Sequence, residues 1–530
     1  MNKFETSNSM LSLNEKSDEK KNIQKSNLYM AKDVSDAIRT SLGPHGMDKG
    51  IIFDREILIT NDGATILENA VFDHAAARML VNISKSQDTE VGDGTTSVVV
   101  LSGSFLGSCL SLLEKGISPT KISDNFRFCL KKSQETLIRI SMPVDIKNEQ
   151  ALCQAASTSL ESKVISVQSH LLSPIAVKSI LKITDVYSSC DVNLKNIKII
   201  KKIGGTIEQT ELLDGVGLEY SIVKSFSGPT KIQLAKIALI QFHISVPVTD
   251  TENVLVVKNY SSMDRIIREE KQYITGICRK IKASGCNVLL VQKSIIRDSI
   301  SNLALQILAE MQIMVIKDID REDLSFITNS FCCAPIVDIE LMTPEKFGFA
   351  DSVEEKTLGS EKIIHFRGLR PSSRKTATVV IRSSNKLLLQ EAERSFHDAL
   401  CVIRSIVRRR YLVGGGGSTE TEISVTLKQF SKSITGIDSF CIIAFANSLE
   451  VIPYTLSENA GLEPIEVVSR LKKLHSSGNK FAGINVRKGL IENMFQANII
   501  SPLLVLASIL NMSVEFAIQL LKIDDTIEAF

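Results

Sequence analysis

The chain changes its hydrophobic period twice, and this reversal constrains its architecture more than any single motif. From Leu28 to about Pro143 apolar residues recur every three or four positions. Val98, Leu101, Phe105, Cys109 and Leu112 share one helical face, and Gly116 stands where that helix should stop. Residues 119–141 repeat the pattern. In the centre, short β-rich runs alternate with amphipathic segments: CNVLLVQK (286–293) predicts a strand, IRDSISNLALQILAEM (296–311) a helix and IMVIKDI (313–319) a second strand. After residue 386 the helical period returns through QEAERSFHDALCVIRSIVRRR and runs, with a break at 477–489, to the end. The expected fold class is mainly α with an inserted α/β region, the two ends of the chain building one helical domain.

A chain of 530 residues with 44% hydrophobic content is large enough for about three domains. Lys and Arg number 62 against 60 Asp and Glu, a net charge of +2, so no basic excess points to nucleic acid or a membrane surface as partner. The ten cysteines are scattered without a C-x-x-C or His/Cys cluster, which predicts a reduced compartment and no zinc site. The N-terminus lacks an apolar signal core and no run approaches the roughly 20 apolar residues of a membrane span. A cytoplasmic location is therefore expected. Residues 1–26, rich in Asn, Ser, Lys and Glu, read as a flexible arm, and no internal repeat of fixed period occurs.

The most unusual short stretch is GDGTTS (92–97), placed directly before the apolar run VVVLSGSFLGSCLSLLEKG. Glycines let a backbone approach a polyanion, successive amides form an anion nest, and a following helix adds its positive end. Gly92 and Gly94 would shape the loop, Thr95, Thr96 and Ser97 would donate to phosphate oxygens, and Asp93 is a hard oxygen ligand suited to Mg²⁺. The same letters also describe a plain turn with an N-cap. The spacing is not that of a Walker P-loop, which excludes a standard P-loop NTPase.

Two further stretches, TSLGPHGMDK (40–49) and TNDGATI (60–66), read individually as turns. VGGGGSTETE (413–422) looks like a linker, yet it lies between amphipathic helices, which suggests a tight backbone passage against a flat ligand such as a base and ribose. Asp398 is a helix carboxylate with apolar neighbours. His45, His74 and His397 lack metal spacing and read as local hydrogen-bonding residues.

Taken in order, TSLGPHGMDK, TNDGATI, QDTEVGDGTTSVVVLSG, EAERSFHDALCVIR, the GGGG run with Glu420 and Glu422, and AGINVRKG make the chain similar to a chaperonin subunit over residues 28–530. It resembles the group II type, the cytosolic TRiC/CCT ring complex. IKIIKKIGGTIEQTELLDG (197–215), MDRIIREEKQYI (263–274), SGCNVLLVQKSIIRDSISNLAL (284–305) and VIKDIDREDLSFI (315–327) point to one subunit type within it.

The resemblance implies a flexible arm at 1–26, equatorial segments at 27–145 and 403–530, intermediate segments at 146–214 and 370–402, and an apical domain with a lid protrusion at 215–369. It implies an ATPase that uses ATP/ADP and Mg²⁺ and closes a lid over folding proteins. Its partners would be paralogous subunits in eight-membered stacked rings, and unfolded clients such as actin and tubulin.

Residue by residue, it implies that Ser41, Leu42, Gly43 and Pro44 form the first nucleotide loop, Asp93 the Mg²⁺ ligand, and Gly94, Thr95, Thr96 and Ser97 the phosphate clamp. Asp62 and Asp398 would position and activate the attacking water. Gly415 and Gly416 would face the nucleotide, Gly483 and Asn485 would lie near the base, and Ser162 and Lys163 would join from the intermediate segment. TDTENVLVVKNY (249–260) resembles the lid protrusion. In the helix that follows, Met263, Ile267, Ile274 and Ile281 read as core, and client contacts are expected near 321–336.

The chain departs from the family at Ala75, at Ser383, where loss of a glycine would stiffen a hinge, and at Ser501, where an acid would contact ribose. Two other readings remain at this level: a nucleotide-binding ring subunit with a mainly structural role and little hydrolysis, and an unrelated soluble kinase or synthetase.

Overall fold

The computed structural model describes residues 24–53, 56–184, 191–223, 228–246, 259–294, 298–359, 361–369 and 376–524. The lid protrusion expected at 249–260 lies outside the described residues except for its last two, as does the arm expected at 1–26 except for its last three. Those three open a helix over 24–38, so ordered structure starts slightly before Leu28.

Packing divides the chain into two units, one of residues 1–177 with 394–530 and one of residues 178–393. The first is helical. Thr95–Glu114 buries Val98, Leu101, Phe105, Cys109 and Leu112, the stripe expected from its 3.6-residue period. Gly116 follows at φ +82° and ends it. Pro119–Ile140 starts with proline in its first turn, where the missing N–H costs nothing.

Both ends of the chain share one core, in which Phe105 and Phe126 meet Phe445 at ring-centroid distances of 4.6 and 5.2 Å. Helix Leu503–Leu521 adds Val514 and Phe516 to the same cluster.

Three features of this unit correct the sequence reading. A hairpin, Lys49–Phe53 with Glu56–Thr60, interrupts the N-terminal helices, with Lys49 opposite Thr60. The later break is longer than 477–489: it holds the hairpin Ala482–Asn485 with Leu490–Asn493 and the strand Ile500–Pro502, and helix resumes only after Pro502. Finally, Thr95–Glu114, Ile437–Asn459 and Leu503–Leu521 are three helices long and apolar enough to cross a membrane. At least half of each is buried inside the chain, in the packing of a protein core.

The second unit holds a six-stranded sheet in the order Val216–Leu218, Glu361–Leu369, Gly348–Leu358, Lys231–Ile240, Val288–Gln292, Met314–Ile319. The last three strands are parallel and covered on both faces: Ile237, Val288 and Ile316 join one apolar cluster, and Ala238, Leu289 and Val315 the other. Double burial explains why CNVLLVQK reads as a continuous apolar run.

The helix expected at 296–311 is shorter, Asn302–Glu310, because Ser301 caps it by accepting from the Ala304 amide at 3.3 Å. In Tyr260–Ala283, Ile274 and Ile281 are core but Met263 and Ile267 are 52% and 41% exposed, because only the C-terminal half of this helix is covered. Ser383 ends the strand Ala377–Ser383, paired with Ile203, and is absent from the residues at positive φ, so it carries no left-handed strain there. The described cysteines are free thiols.

Candidate functional site

A single cavity in the helical unit gathers most of the short stretches singled out above. Ser41, Leu42, Gly43 and Pro44 form one edge, Asp93, Gly94, Thr95, Thr96 and Ser97 another, and Ser162 with Lys163 a third. Gly415, Gly416 and Asn485 close it from the C-terminal part of the chain.

Two helices open into this cavity without a side-chain cap. Gly94 precedes Thr95–Glu114 at φ +77° and Gly417 precedes Ser418–Ser431 at φ +73°; both adopt the left-handed conformation, and no side chain caps either helix. The amides of Thr95, Thr96 and Ser97 have no acceptor among the described residues, since the first helical bond runs from the Val98 amide to Gly94 O. Unsatisfied donors at the positive end of a helix suit a bound anion. GDGTTS is thus a helix start, but one whose donors are left open. Gln87 Nε2 fixes the loop by donating to Asp93 O at 2.8 Å, and Asp93 Oδ1 accepts from the Gly94 amide at 2.7 Å.

Beside this loop lies an acid cluster around one ammonium. Lys163 Nζ is 2.8 Å from Asp398 Oδ2 and 3.9 Å from Asp62 Oδ1. The stretch TNDGATI, which reads as a turn, leads from a strand into a helix, and Asp62 is the N-cap of Gly63–Asn69. Its Oδ2 accepts from the Thr65 amide at 3.1 Å, and its Oδ1 from the Thr95 hydroxyl at 2.9 Å. The Thr95 hydroxyl is therefore committed to Asp62, leaving its amide to the cavity.

Burial alone would raise the Asp62 carboxyl, but Lys163 and the bonds from Thr65 and Thr95 outweigh it and hold the group below its ordinary value. Burial pushes Asp398 well above the usual carboxylate range and raises Asp93 as well, with Lys163 opposing in both cases. Burial works against the charge on Lys163, and Asp398 and Asp62 overcome it and stabilise the ammonium.

The raised Asp398 and Asp93 carboxyls show that one ammonium does not offset three buried acids, and a divalent cation would favour their ionised forms. No cluster of three or more ligating side chains exists among the described residues. A bound Mg²⁺ would rest on Asp93 together with ligand phosphates, a donor set that suits this ion.

Asp62 and Asp398 do not line the cavity themselves; Lys163, which does, connects them to it. Gly483 also stands back from the wall, facing Met494. Other wall residues were not assigned from sequence. Ile452, Leu456, Ile499 and Ile509 supply an apolar surface, and Arg487 pairs with Glu161 at 3.4 Å across the cavity. Glu420, quoted above without a role, also lines it, and burial pushes its carboxyl up to about 6. Arg487 and Glu161 stand in AGINVRKG and SLESK, but nothing in either string indicates that the two meet. Ser501 lies on the wall as well. Among the histidines, His74 acts locally, its Nδ1 accepting from the Ala76 amide at 3.2 Å.

Comparison with known proteins gives a consistent picture. The model of the TCP-1/cpn60 chaperonin family matches residues 34–530. T-complex protein 1 subunit delta of Dictyostelium discoideum is 51% identical over 509 residues, covering 96% of this chain and 95% of the relative. The proteins of the same name from Homo sapiens and Schizosaccharomyces pombe are 50% and 48% identical, each over 95% of this chain and 94% and 95% of theirs.

Proposed function

The chain belongs to the TCP-1/cpn60 chaperonin family, and from that premise we propose that it is the delta-type subunit of the cytosolic TRiC/CCT chaperonin, an ATPase that folds enclosed proteins. Its partners are paralogous subunits in stacked eight-membered rings, and its clients include actin and tubulin. Residues 27–145 and 403–530 form the equatorial domain, 146–214 and 370–402 the intermediate segments, and 215–369 the apical domain. The observation that carries the enzymatic part is one cavity lined by an uncapped helix start, Asp93 and Lys163, with Lys163 paired to Asp398 behind the wall.

The reaction is transfer of the terminal phosphoryl group of ATP to water, giving ADP and phosphate. Here positioning and charge stabilisation dominate. The Thr95, Thr96 and Ser97 amides hold phosphate oxygens. Mg²⁺, when bound at Asp93, neutralises phosphate charge. Asp62 and Asp398 orient the attacking water and accept its proton, and Lys163 keeps the two carboxylates in place. The apolar wall of Ile452, Leu456 and Ile499 receives the base.

Native mass measurement and electron microscopy of the assembly purified through a tag on this chain test the reading. The expected particle is a double ring containing this chain and its paralogues. A monomer under gentle conditions contradicts it and returns the kinase or synthetase reading.

A further inference from the structure

His475 lies outside the cavity, has a fully buried side chain, and has both ring nitrogens engaged. Nδ1 is 2.7 Å from Glu422 Oε2, and Nε2 is 2.8 Å from Ala482 O. A carbonyl oxygen only accepts, so Nε2–H donates to Ala482, and one proton lies between Nδ1 and the Glu422 carboxylate.

These two partners belong to two walls of the cavity. Glu422 sits on Ser418–Ser431, the helix that starts at the wall residue Gly417. Ala482 opens the strand Ala482–Asn485, whose Ile484 and Asn485 line the cavity, followed by Val486 and Arg487. The walls also touch directly, since the Ile484 amide donates to Gly416 O at 2.9 Å. His475, on Pro464–Ser476, is thus the third joint of a triangle formed by the glycine turn with its helix, the hairpin strand, and itself.

We propose that His475 is a positioning residue for nucleotide binding: it fixes the spacing between the glycine turn and the hairpin strand, and so sets affinity without touching the ligand. The inference rests on the nucleotide reading above. It separates affinity from hydrolysis, because none of its contacts reaches the Lys163, Asp62 and Asp398 cluster. Leaving a buried acceptor unpaired costs more than an average hydrogen bond contributes, so the effect should be measurable.

The test uses the purified ring complex with substitutions in this subunit alone, photolabelled with 8-azido-ADP in competition with ADP, and labelling of this chain is read out. His475→Phe should raise the half-saturating ADP concentration about 10-fold or more, and His475→Gln, which keeps one donor, by less. Glu422→Gln, nearly isosteric and retaining an oxygen toward Nδ1, should shift it by about threefold and guards against a His475 variant that fails to assemble.

Turnover at saturating ATP, in rings whose other subunits cannot hydrolyse, should stay within about twofold of the parent for each variant. Unchanged ADP affinity in assembled Glu422→Gln and His475→Gln rings overturns the inference, as does turnover falling in step with affinity. Absence of ADP-competed labelling in the wild-type chain overturns the nucleotide reading itself, and this inference with it.

Discussion

Lys163 Nζ lies 2.8 Å from Asp398 Oδ2, joining the segment after helix Glu149–Leu160 to the middle of helix Lys386–Arg408. Both side chains are nearly buried, so the pair cannot be judged as a surface salt bridge. Its value lies in what it holds together, since Asp62 shares the same ammonium at 3.9 Å.

Removing that ammonium should leave two buried carboxylates without a counter-charge. Lys163→Gln is expected to destabilise the chain by about 3–5 kcal/mol, the range for breaking a buried pair. Adding Asp398→Asn should recover part of the loss, giving strongly non-additive melting temperatures. Additive losses would show that the pair is not coupled.

A second acid gives a pH prediction away from the site. Glu450 accepts from Ser424, Lys428 and Lys472, with Lys distances of 2.6 Å; burial would raise its carboxyl, but the two lysines lower it below 4.5. A depressed folded-state value contributes stability above the unfolded value that is lost as pH falls. Glu450→Gln should therefore cost about 1 kcal/mol at neutral pH, and the gap in melting temperature from wild type should close as the pH falls through and below the ordinary carboxylate range. A gap that widens on acidification would refute the assignment.

Gly94 carries two constraints at once. Its φ is +77°, and a Cβ there would stand 2.6 Å from Ile509 Cδ1. Gly94→Ala should cost about 1–3 kcal/mol and displace the loop from the open amides that follow it. Photolabelling of this chain by 8-azido-ADP should drop sharply in assembled rings; wild-type labelling would mean that the loop does not hold the nucleotide.

The Arg487–Glu161 pair should matter far less. At 3.4 Å, with side chains 55% and 23% exposed, it is open to solvent and screened by salt. Arg487→Ala is expected to shift ADP competition by less than about fivefold, and less still at high salt. A larger shift would indicate a direct contact between Arg487 and the ligand.

How far the sequence carries depends on whether a feature is local. The stripe Val98, Leu101, Phe105, Cys109 and Leu112 and the stop at Gly116 repeat within one element, so they are legible. The glycine run at 414–417 is legible as a tight passage because apolar patterning continues on both sides of it, whereas the strand Tyr411–Gly414 that leads into it is too short to be legible. The hairpin of residues 49–60 is not, because two strands of five residues hold too few alternations to stand out between helices. The start of Asn302–Glu310 is not legible, because Ser301, a cap, resembles an ordinary polar position in an amphipathic pattern. Asp62, Lys163 and Asp398 stand out only through family resemblance, since no spacing rule relates residues from three distant segments. Glu161, Arg487 and His475 carry no signal in the sequence because their significance lies entirely in what the fold brings beside them.

The central claim, that this subunit hydrolyses ATP with Asp62 and Asp398 around one water, is tested most directly in rings whose other subunits are made hydrolysis-deficient. With this chain wild type, residual turnover should be present. Asp398→Ala should lower it by about 10²–10⁴-fold while 8-azido-ADP still labels the chain, since the loss of a carboxylate that does not hold the metal leaves ground-state binding largely intact. If residual turnover is already absent with this chain wild type, its site is silent, and the account of a catalytic Asp398 is contradicted.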